Sequence, residues 1–284
     1  MKAPSFDYIK PASLAEVFSL LELHGDDARI IAGGQTLLAT LNMRLSEPRL
    51  LVDINTVPGL SGISLQNDCV RIGALTRHSE IEDSALVAKH APLLAMAASH
   101  VAHRAIRNRG TLGGSIAFAD PAAEWPTCAV ALDANIVLAS RGQERRVKAG
   151  DFFEDLYTTA MAPDEIITVC EFPLQPPLMR FAFDELARRH GDYAIVGLAA
   201  GGQLVDGTLR QVRLVFLGTG NIPLRARAAE AAIEGKALNG DTFHAACTAL
   251  AGELHPAADL YNSAEAKLHL ASVLMRRLVQ RLAA

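Results

Sequence analysis

The residues best suited to chemistry lie in two short glycine-centred segments, Ala32–Thr36 and Thr111–Ser115. Adjacent glycines leave backbone N–H groups uncovered by any Cβ atom, so each loop can offer several donors to one anion. Both segments also carry small hydroxyl or amide side chains that add donors. If the two loops converge, they can hold both phosphates of a pyrophosphate. The pattern therefore favours a dinucleotide ligand.

The neighbouring residues narrow the choice of dinucleotide. A Rossmann fingerprint needs G-x-G-x-x-G between a strand and a helix, and the nearest string, Gly218–Pro223, ends in proline and opens no helix. No P-loop string is present either. The second glycine segment is followed by Asp120 and Glu124, and a carboxylate there can accept hydrogen bonds from ribityl or ribose hydroxyls. We therefore expect FAD rather than a mononucleotide or NAD bound in the Rossmann manner.

Three other patterns are weaker signals of a catalytic or metal-binding site. Gly113–Ala117 approaches the G-x-S-x-G nucleophile elbow, but basic residues precede it where that motif needs a strand. His100 and His103 form the only close histidine pair, and no third ligand is evident near them. The cysteines are scattered without a C-x-x-C pair, which argues against zinc or an iron–sulfur cluster held by this chain. We predict no catalytic residue and no metal ligand.

Composition excludes several classes of function. The chain has 284 residues, of which 50% are apolar and 20% are charged, as in an ordinary globular protein. A net charge of −4 gives no basis for nucleic-acid binding, and the basic cluster His103–Arg109 suits a phosphate-bearing ligand better. Met1–Asp7 lacks the features of a secretory signal, no apolar run is long enough for a membrane span, and the thiols are isolated. We expect a cytoplasmic protein without a membrane span.

The segments around the first loop predict a compact α/β unit. Ser13 and Glu16 form a capping box for the first helix. A buried strand over 28–32, a turn at the glycine pair, a helix over 36–44 and a strand over 50–54 follow. This order places the first loop between a strand and a helix, where anion sites are commonly built.

The rest of the chain predicts an α+β protein with a domain boundary at the proline-rich span 173–177. Two hairpins are predicted, one around Asn67-Asp68 and one around Asp206-Gly207. The remaining predicted helices lie over 79–89, 92–103, 122–132, 226–234, 241–253 and 263–282, and the remaining strands over 135–140 and 166–172.

Longer strings around these segments match a known family. They are Phe6–Tyr8 with Pro11, Ala32–Leu37, Val52–Ile54, Ile72–Thr76, Ile106–Ser115, Asp120–Glu124, Ala187–Ala194 and the closing helix with Arg276 and Arg277. In them the chain resembles the FAD-binding medium subunit of molybdenum hydroxylases, a family that includes the carbon monoxide dehydrogenase medium subunit and the flavin domain of xanthine dehydrogenase. The resemblance covers nearly the whole chain, and the second glycine string is quite specific.

The resemblance implies a fold and a set of cofactor contacts. Residues 1–175 would form an FAD-binding domain of the vanillyl-alcohol oxidase-like (PCMH) type, with subdomains at about 1–58 and 59–175. Residues 176–284 would form a C-terminal domain of antiparallel sheet and helices. Neither glycine loop contains a histidine, so FAD is expected to bind non-covalently. The implied cofactor-binding residues are Ala32, Gly33, Gly34, Gln35, Thr36, Val101, Thr111, Leu112, Gly113, Gly114, Ser115, Asp120, Glu124, Ile167 and Tyr193.

Within that set, the resemblance places the FAD pyrophosphate on the two glycine loops. It places the ribityl chain, the adenosine or the flavin ring beside Val101, Asp120, Glu124 and Ile167. Tyr193 would lie near the isoalloxazine ring.

The implied function is electron transfer in a complex. A large subunit with a molybdenum–pterin cofactor would hydroxylate a small substrate, and a small subunit with two 2Fe-2S clusters would pass the electrons to FAD on this chain. FAD would then deliver them to an external acceptor, whether NAD, quinone, cytochrome or oxygen. The alternatives are a stand-alone flavin oxidase of the vanillyl-alcohol type and a non-enzymatic assembly protein that retains the fold. The sequence leaves open the hydroxylated substrate, the oligomeric state and the retention of FAD without partners.

Overall fold

The N-terminal region surrounds a small parallel sheet. A computed structural model describes residues 2–284. Its first elements are β1 (Asp7–Ile9), α1 (Leu14–His24), β2 (Ala28–Ile31), α2 (Leu37–Asn42) and β3 (Leu50–Asp53). The strands pair in the order β1–β3–β2, all parallel. Ser13 caps α1 by accepting a hydrogen bond from the Glu16 N–H, whereas the Glu16 carboxylate accepts from the Ala12 N–H instead of the Ser13 N–H, so only half of the predicted capping box forms.

The central region is built on a five-stranded antiparallel sheet in the order β4–β5–β10–β6–β7. Helices pack on it, and a short ribbon of β8 and β9 lies beside it. The strands are β4 (Ile63–Gln66), β5 (Cys69–Gly73), β6 (Asn135–Ser140), β7 (Gln143–Lys148), β8 (Phe153–Asp155), β9 (Thr158–Thr159) and β10 (Ile166–Pro173). The helices are α3 (His78–Glu82), α4 (Ala85–His90), α5 (Pro92–Ala98), α6 (Arg104–Arg107), α7 (Leu112–Phe118), α8 (Glu124–Ala131) and α9 (Ala149–Phe152).

Two of the predicted helices in this region are wrong in extent. The helix predicted over 79–89 is broken in two because the Ser84 hydroxyl accepts a hydrogen bond from the Val87 N–H and starts α4. The helix predicted over 92–103 ends at Ala98, and Ala102 adopts a left-handed φ of 42° before α6 begins. Helix α7, which starts inside the second glycine segment, was not predicted, because glycine is a poor helix former.

The C-terminal region is a four-stranded antiparallel sheet covered by three helices. It consists of β11 (Met179–Leu186), β12 (Val196–Val205), β13 (Thr208–Leu217), β14 (Leu224–Arg225), α10 (Arg227–Ile233), α11 (Gly240–Glu253) and α12 (Ala264–Ala283). The strands pair in chain order. Both predicted hairpins are confirmed. The edge strand β11 was not predicted from the sequence. Helix α12 buries Leu274, Met275 and Leu278 in the core of this region.

The central and C-terminal regions share one hydrophobic core. Its members include Trp125 on α8, together with Phe183, Val215 and Leu217 from the C-terminal sheet. The Gly218 N–H donates to the Pro121 carbonyl at 2.9 Å, which fixes the turn before α8 against the end of β13. Within residues 2–284, none of the helices combines the length and the apolar character that a membrane span requires.

Candidate cofactor-binding site

The first glycine loop presents a row of unused backbone donors. It leaves β2 at Ala32 and enters α2 after Thr36, with Gly34 at a φ of 70° that favours glycine. No backbone carbonyl among residues 2–284 accepts a hydrogen bond from the N–H groups of Gly33, Gly34, Gln35 or Thr36. The loop is partly accessible to solvent along this stretch. Consecutive free N–H groups of this kind form an anion-binding concavity.

The second glycine loop is mostly hydrogen-bonded within the protein. Its Gly113 N–H donates to the Ala74 carbonyl at 2.8 Å, and its Leu112 N–H donates to the Thr76 carbonyl at 3.0 Å. The Thr111 hydroxyl accepts from the Gly114 N–H at 3.2 Å and caps α7. The expectation that both loops offer several free donors is therefore wrong for the second loop.

The structure brings the two loops together. A Cβ atom added to Gly33 would lie 2.8 Å from the Cα of Gly110, the residue directly before the second loop, so the two segments are in backbone contact there. A Cβ atom added to Gly114 would lie 4.0 Å from the Ala32 Cβ, with only the Thr111 hydroxyl closer. The loops thus touch at Gly33 and separate at Gly114. This gap lies next to the free N–H groups of the first loop, which are of the kind that bind a phosphate.

A side-chain network that the sequence did not reveal ties one loop to the other. The Asn55 amide donates to the Ala32 carbonyl at 2.7 Å, and Arg77 donates to the Asn55 side-chain oxygen at 2.7 Å. A second Arg77 nitrogen donates to the Arg109 carbonyl. Asp53 in turn orients Asn55 by accepting its side-chain amide at 2.6 Å. The signal available in the sequence is position, because Asn55 and Arg77 each directly follow a string shared with the family.

The basic cluster before the second loop serves the protein itself. Arg104 pairs with Glu82 at 2.8 Å and with Asp83, and Arg107 also bonds Glu82 at 2.8 Å. Arg107 is buried and donates further to two backbone carbonyls. The prediction that this cluster serves a phosphate-bearing ligand is wrong for these two arginines, since carboxylates already occupy their guanidinium groups. Arg109 makes no ion pair with any other residue in the described range 2–284.

Beyond the second loop lies a group of carboxyls in a poorly hydrated environment. Burial, followed by the charges of Glu185 and Asp120, raises the pKa of Glu124 to about 8. Burial also raises the pKa of Asp120. The Glu185 side chain is only 7% exposed and lies 3.7 Å from His100. Its second oxygen has no hydrogen-bond partner among residues 2–284. A protonated Glu124 can donate a hydrogen bond at neutral pH as well as accept one.

The predicted site residues differ in accessibility. Tyr193 is 69% exposed, and partial desolvation together with the nearby charges of Asp120 and Glu124 raises its pKa. Its ring is therefore free to cover a planar ligand beside these carboxyls. Val101 and Ile167 instead place their side chains in the central core, 8% and 4% exposed. Val101 and Ile167 can therefore reach a cofactor only through their backbone atoms or the exposed edges of their side chains.

Fold and site together define a class, a flavoprotein subunit with paired glycine loops and an antiparallel C-terminal sheet. Residues 4–175 match the family described as the FAD binding domain in molybdopterin dehydrogenase, and residues 181–282 match the CO dehydrogenase flavoprotein C-terminal domain. The chain belongs to this family of FAD-binding medium subunits of molybdenum hydroxylases. The predicted family, fold class, FAD cofactor and oxidoreductase activity are confirmed, and neither the stand-alone oxidase nor the assembly protein fits.

Individual relatives agree with this assignment over their whole length. The chain is 40% identical to the 6-hydroxypseudooxynicotine dehydrogenase complex subunit alpha of Paenarthrobacter nicotinovorans, covering 98% of this chain and 94% of that protein. It is 38% identical to the nicotine 6-hydroxylase medium subunit of the same organism, over 98% of both chains. A solved chain of quinoline 2-oxidoreductase from Pseudomonas putida superposes with a TM-score of 0.94 at 38% identity, covering 100% of this chain and 98% of that one.

Proposed function

We propose that this chain holds FAD non-covalently between its two glycine loops and connects the redox centres of partner subunits to an external electron acceptor. The observation that carries the proposal is the row of free N–H groups from Gly33 to Thr36 in a loop that contacts the second glycine segment. Bound FAD supplies reversible two-electron chemistry. This chain's residues bind it, orient it and set its surroundings.

Each predicted contact has a physical role in this proposal. Ala32–Thr36 bind the diphosphate through N–H groups, and Thr111–Ser115 close the gap from the opposite side. Asp120 and Glu124 hydrogen-bond hydroxyls of the bound dinucleotide, and the exposed Tyr193 ring lies against the flavin. Val101 and Ile167 support the pocket from the core. No side chain of this chain acts as acid or base on the hydroxylated substrate.

The partners follow from the same proposal. A large subunit carries the molybdenum–pterin cofactor and a small subunit carries 2Fe-2S clusters, while this chain holds neither. Within residues 2–284 there is no group of three or more histidine, cysteine, aspartate or glutamate side chains arranged to hold a metal.

We place the domain boundary between residues 175 and 176 and the complex in the cytoplasm. The four cysteines are free thiols, which suits a reducing compartment.

The substrate class of the complex is the finer part of the proposal. Relatives at 40%, 38% and 35% identity are named for 6-hydroxypseudooxynicotine, nicotine and caffeine, and a solved structure for quinoline. All four compounds contain a nitrogen heteroaromatic ring. We propose that the complex hydroxylates a substrate of this class. Assay of the purified complex against nicotine, caffeine, quinoline and carbon monoxide tests this, and oxidation of carbon monoxide alone would contradict it.

The decisive experiment for FAD binding compares the wild-type chain with Gly114→Val. A valine would fill the space between Gly114 and Ala32 and displace the Thr111 hydroxyl, so the variant should lose its flavin absorption bands, while its circular dichroism checks that it still folds. Wild-type protein should retain FAD after desalting and release it on acid precipitation. Gly252→Val is the matched control, because nothing lies within 4 Å of a Cβ at that distant position. Normal flavin content in Gly114→Val would contradict the two-loop site.

A further inference from the structure

His78 is a buried histidine that lies directly behind the second glycine loop. It begins α3 immediately after Arg77 and is 6% exposed. The indole N–H of Trp125, which is fully buried, donates to His78 Nδ1 at 3.0 Å. Since the sequence contains a single tryptophan, this is the one indole hydrogen bond the chain can make.

The Trp125 bond fixes both the protonation and the orientation of the imidazole ring. Because Nδ1 accepts a hydrogen bond, the ring proton of the neutral form sits on Nε2. Burial, followed by the charges of Arg77 and Arg107, lowers the pKa of His78 to about 3. The ring is therefore neutral at physiological pH and keeps its acceptor for Trp125.

The His78 ring lies between the core residue Trp125 and the segment where the two glycine loops meet. The His78 backbone N–H donates to the Gly110 carbonyl at 3.1 Å. A Cβ atom on Gly110 would lie 2.6 Å from His78 Nε2 and 2.7 Å from its Cδ2, so the ring edge occupies the space beside Gly110. Gly110 in turn abuts Gly33 of the first loop, whose Cβ would lie 2.8 Å from the Gly110 Cα. Trp125, His78, Gly110 and Gly33 thus form one packed series.

We propose that His78 is a positioning residue of the cofactor site, which sets the separation of the two glycine loops because Trp125 holds its ring against Gly110. The inference rests on the proposed FAD function and adds a residue that neither motif contains. A shift of the ring would move Gly110 and with it the contact to Gly33, which changes the gap that the diphosphate must enter. Such a shift follows when the Trp125 N–H loses its acceptor, because a buried unpaired donor is unfavourable.

Two variants of nearly equal shape test the role of the hydrogen bond. His78→Asn retains a side-chain oxygen that can accept from Trp125, whereas His78→Leu does not. Titration of each purified chain with FAD, followed by flavin fluorescence, should show affinity about 10-fold weaker in His78→Leu. His78→Asn should stay within about 3-fold of wild type. Titration with ADP should show the same factors, because the gap concerns the diphosphate that both ligands carry.

Further variants make each outcome decisive. Trp125→Phe should weaken FAD binding as much as His78→Leu, and the double variant should be no worse than either. If His78→Leu does not fold, Trp125→Phe against His78→Asn gives the same comparison. The exposed His255, changed to leucine, is the matched control. Equal affinities for FAD in all folded variants, or equal losses in Asn and Leu, would overturn the inference. A wild-type chain that binds no FAD, either alone or together with its partner subunits, would instead overturn the proposed function, and the inference with it.

Discussion

The two glycine loops look alike in sequence but differ in what their backbone does. In the first, the N–H groups of four successive residues, Gly33 to Thr36, remain free of backbone partners in the described chain. In the second, the N–H groups of Leu112 and Gly113 are bonded to the strand-to-helix connection at Ala74 and Thr76. The first loop therefore offers free hydrogen-bond donors, whereas the second is held in place by hydrogen bonds to the rest of the protein. One dinucleotide site needs both, because donors without a fixed opposite wall leave the ligand's orientation undetermined.

The glycines themselves divide in the same way. At positions 33 and 113 backbone and Cβ atoms of the protein occupy the space of a side chain, whereas at Gly114 only the Thr111 hydroxyl and the Ala32 Cβ come within 4 Å of an added Cβ. A glycine whose missing side chain is replaced by protein contributes to folding. A glycine whose missing side chain leaves a gap contributes to binding.

The largest effect that would separate these two kinds of glycine is expected from Gly33→Val. Its Cβ would lie 2.8 Å from the Gly110 Cα, and backbone cannot move aside cheaply. We expect overpacking to lower the free energy of unfolding by about 3 kcal/mol. Thermal unfolding of the FAD-free chain measures this. Gly114→Val should be destabilised less, because only the Thr111 hydroxyl has to shift, and equal destabilisation of both variants would contradict the distinction.

A smaller effect is expected from the link between the loops. Arg77→Met removes the bonds to Asn55 and to the Arg109 carbonyl but keeps most of the side-chain volume. FAD affinity should fall by about 10-fold, because both hydrogen bonds through which Arg77 links the loops are lost. Fluorescence titration checks this. Arg104→Met is the control, because its partners Glu82 and Asp83 lie outside both loops. A loss of affinity in the control would revive the phosphate role of the basic cluster.

A third effect concerns the pH dependence of stability, through the carboxyl of Glu124 beyond the second loop. Glu124 keeps its proton in the folded chain up to about pH 8, while in the unfolded chain it loses the proton near its ordinary, lower pKa. The unfolded state therefore binds fewer protons between these two values, so stability falls as pH rises through this window and levels off above it. Glu124→Gln should remove this decline. The melting temperature of both FAD-free chains at pH 5, 7 and 9 measures it, and parallel curves would contradict the assignment.

Local sequence signals served best where the structure depends on neighbouring residues. Ser13 caps its helix, and Asp206-Gly207 turns its hairpin, because each needs only residues a few positions away. Local sequence signals gave wrong predictions where a residue's partner is distant in the sequence. Arg104 and Arg107 were predicted to bind a phosphate-bearing ligand. In the structure they form ion pairs with Glu82 and Asp83, which lie about twenty residues earlier in the chain.

The sequence by itself determined the family and the cofactor class, because strings along nearly the whole chain resemble those of FAD-binding medium subunits, and it predicted the two glycine loops as the diphosphate site. Only the tertiary structure decided which loop donates and which supports. That outcome depends on whether a carbonyl such as that of Ala74 comes within reach of an N–H far along the chain. It also brought His78, Asn55 and Arg77 against the two loops. Hydrogen bonds act over about 3 Å, and only the folded chain brings such distant residues that close.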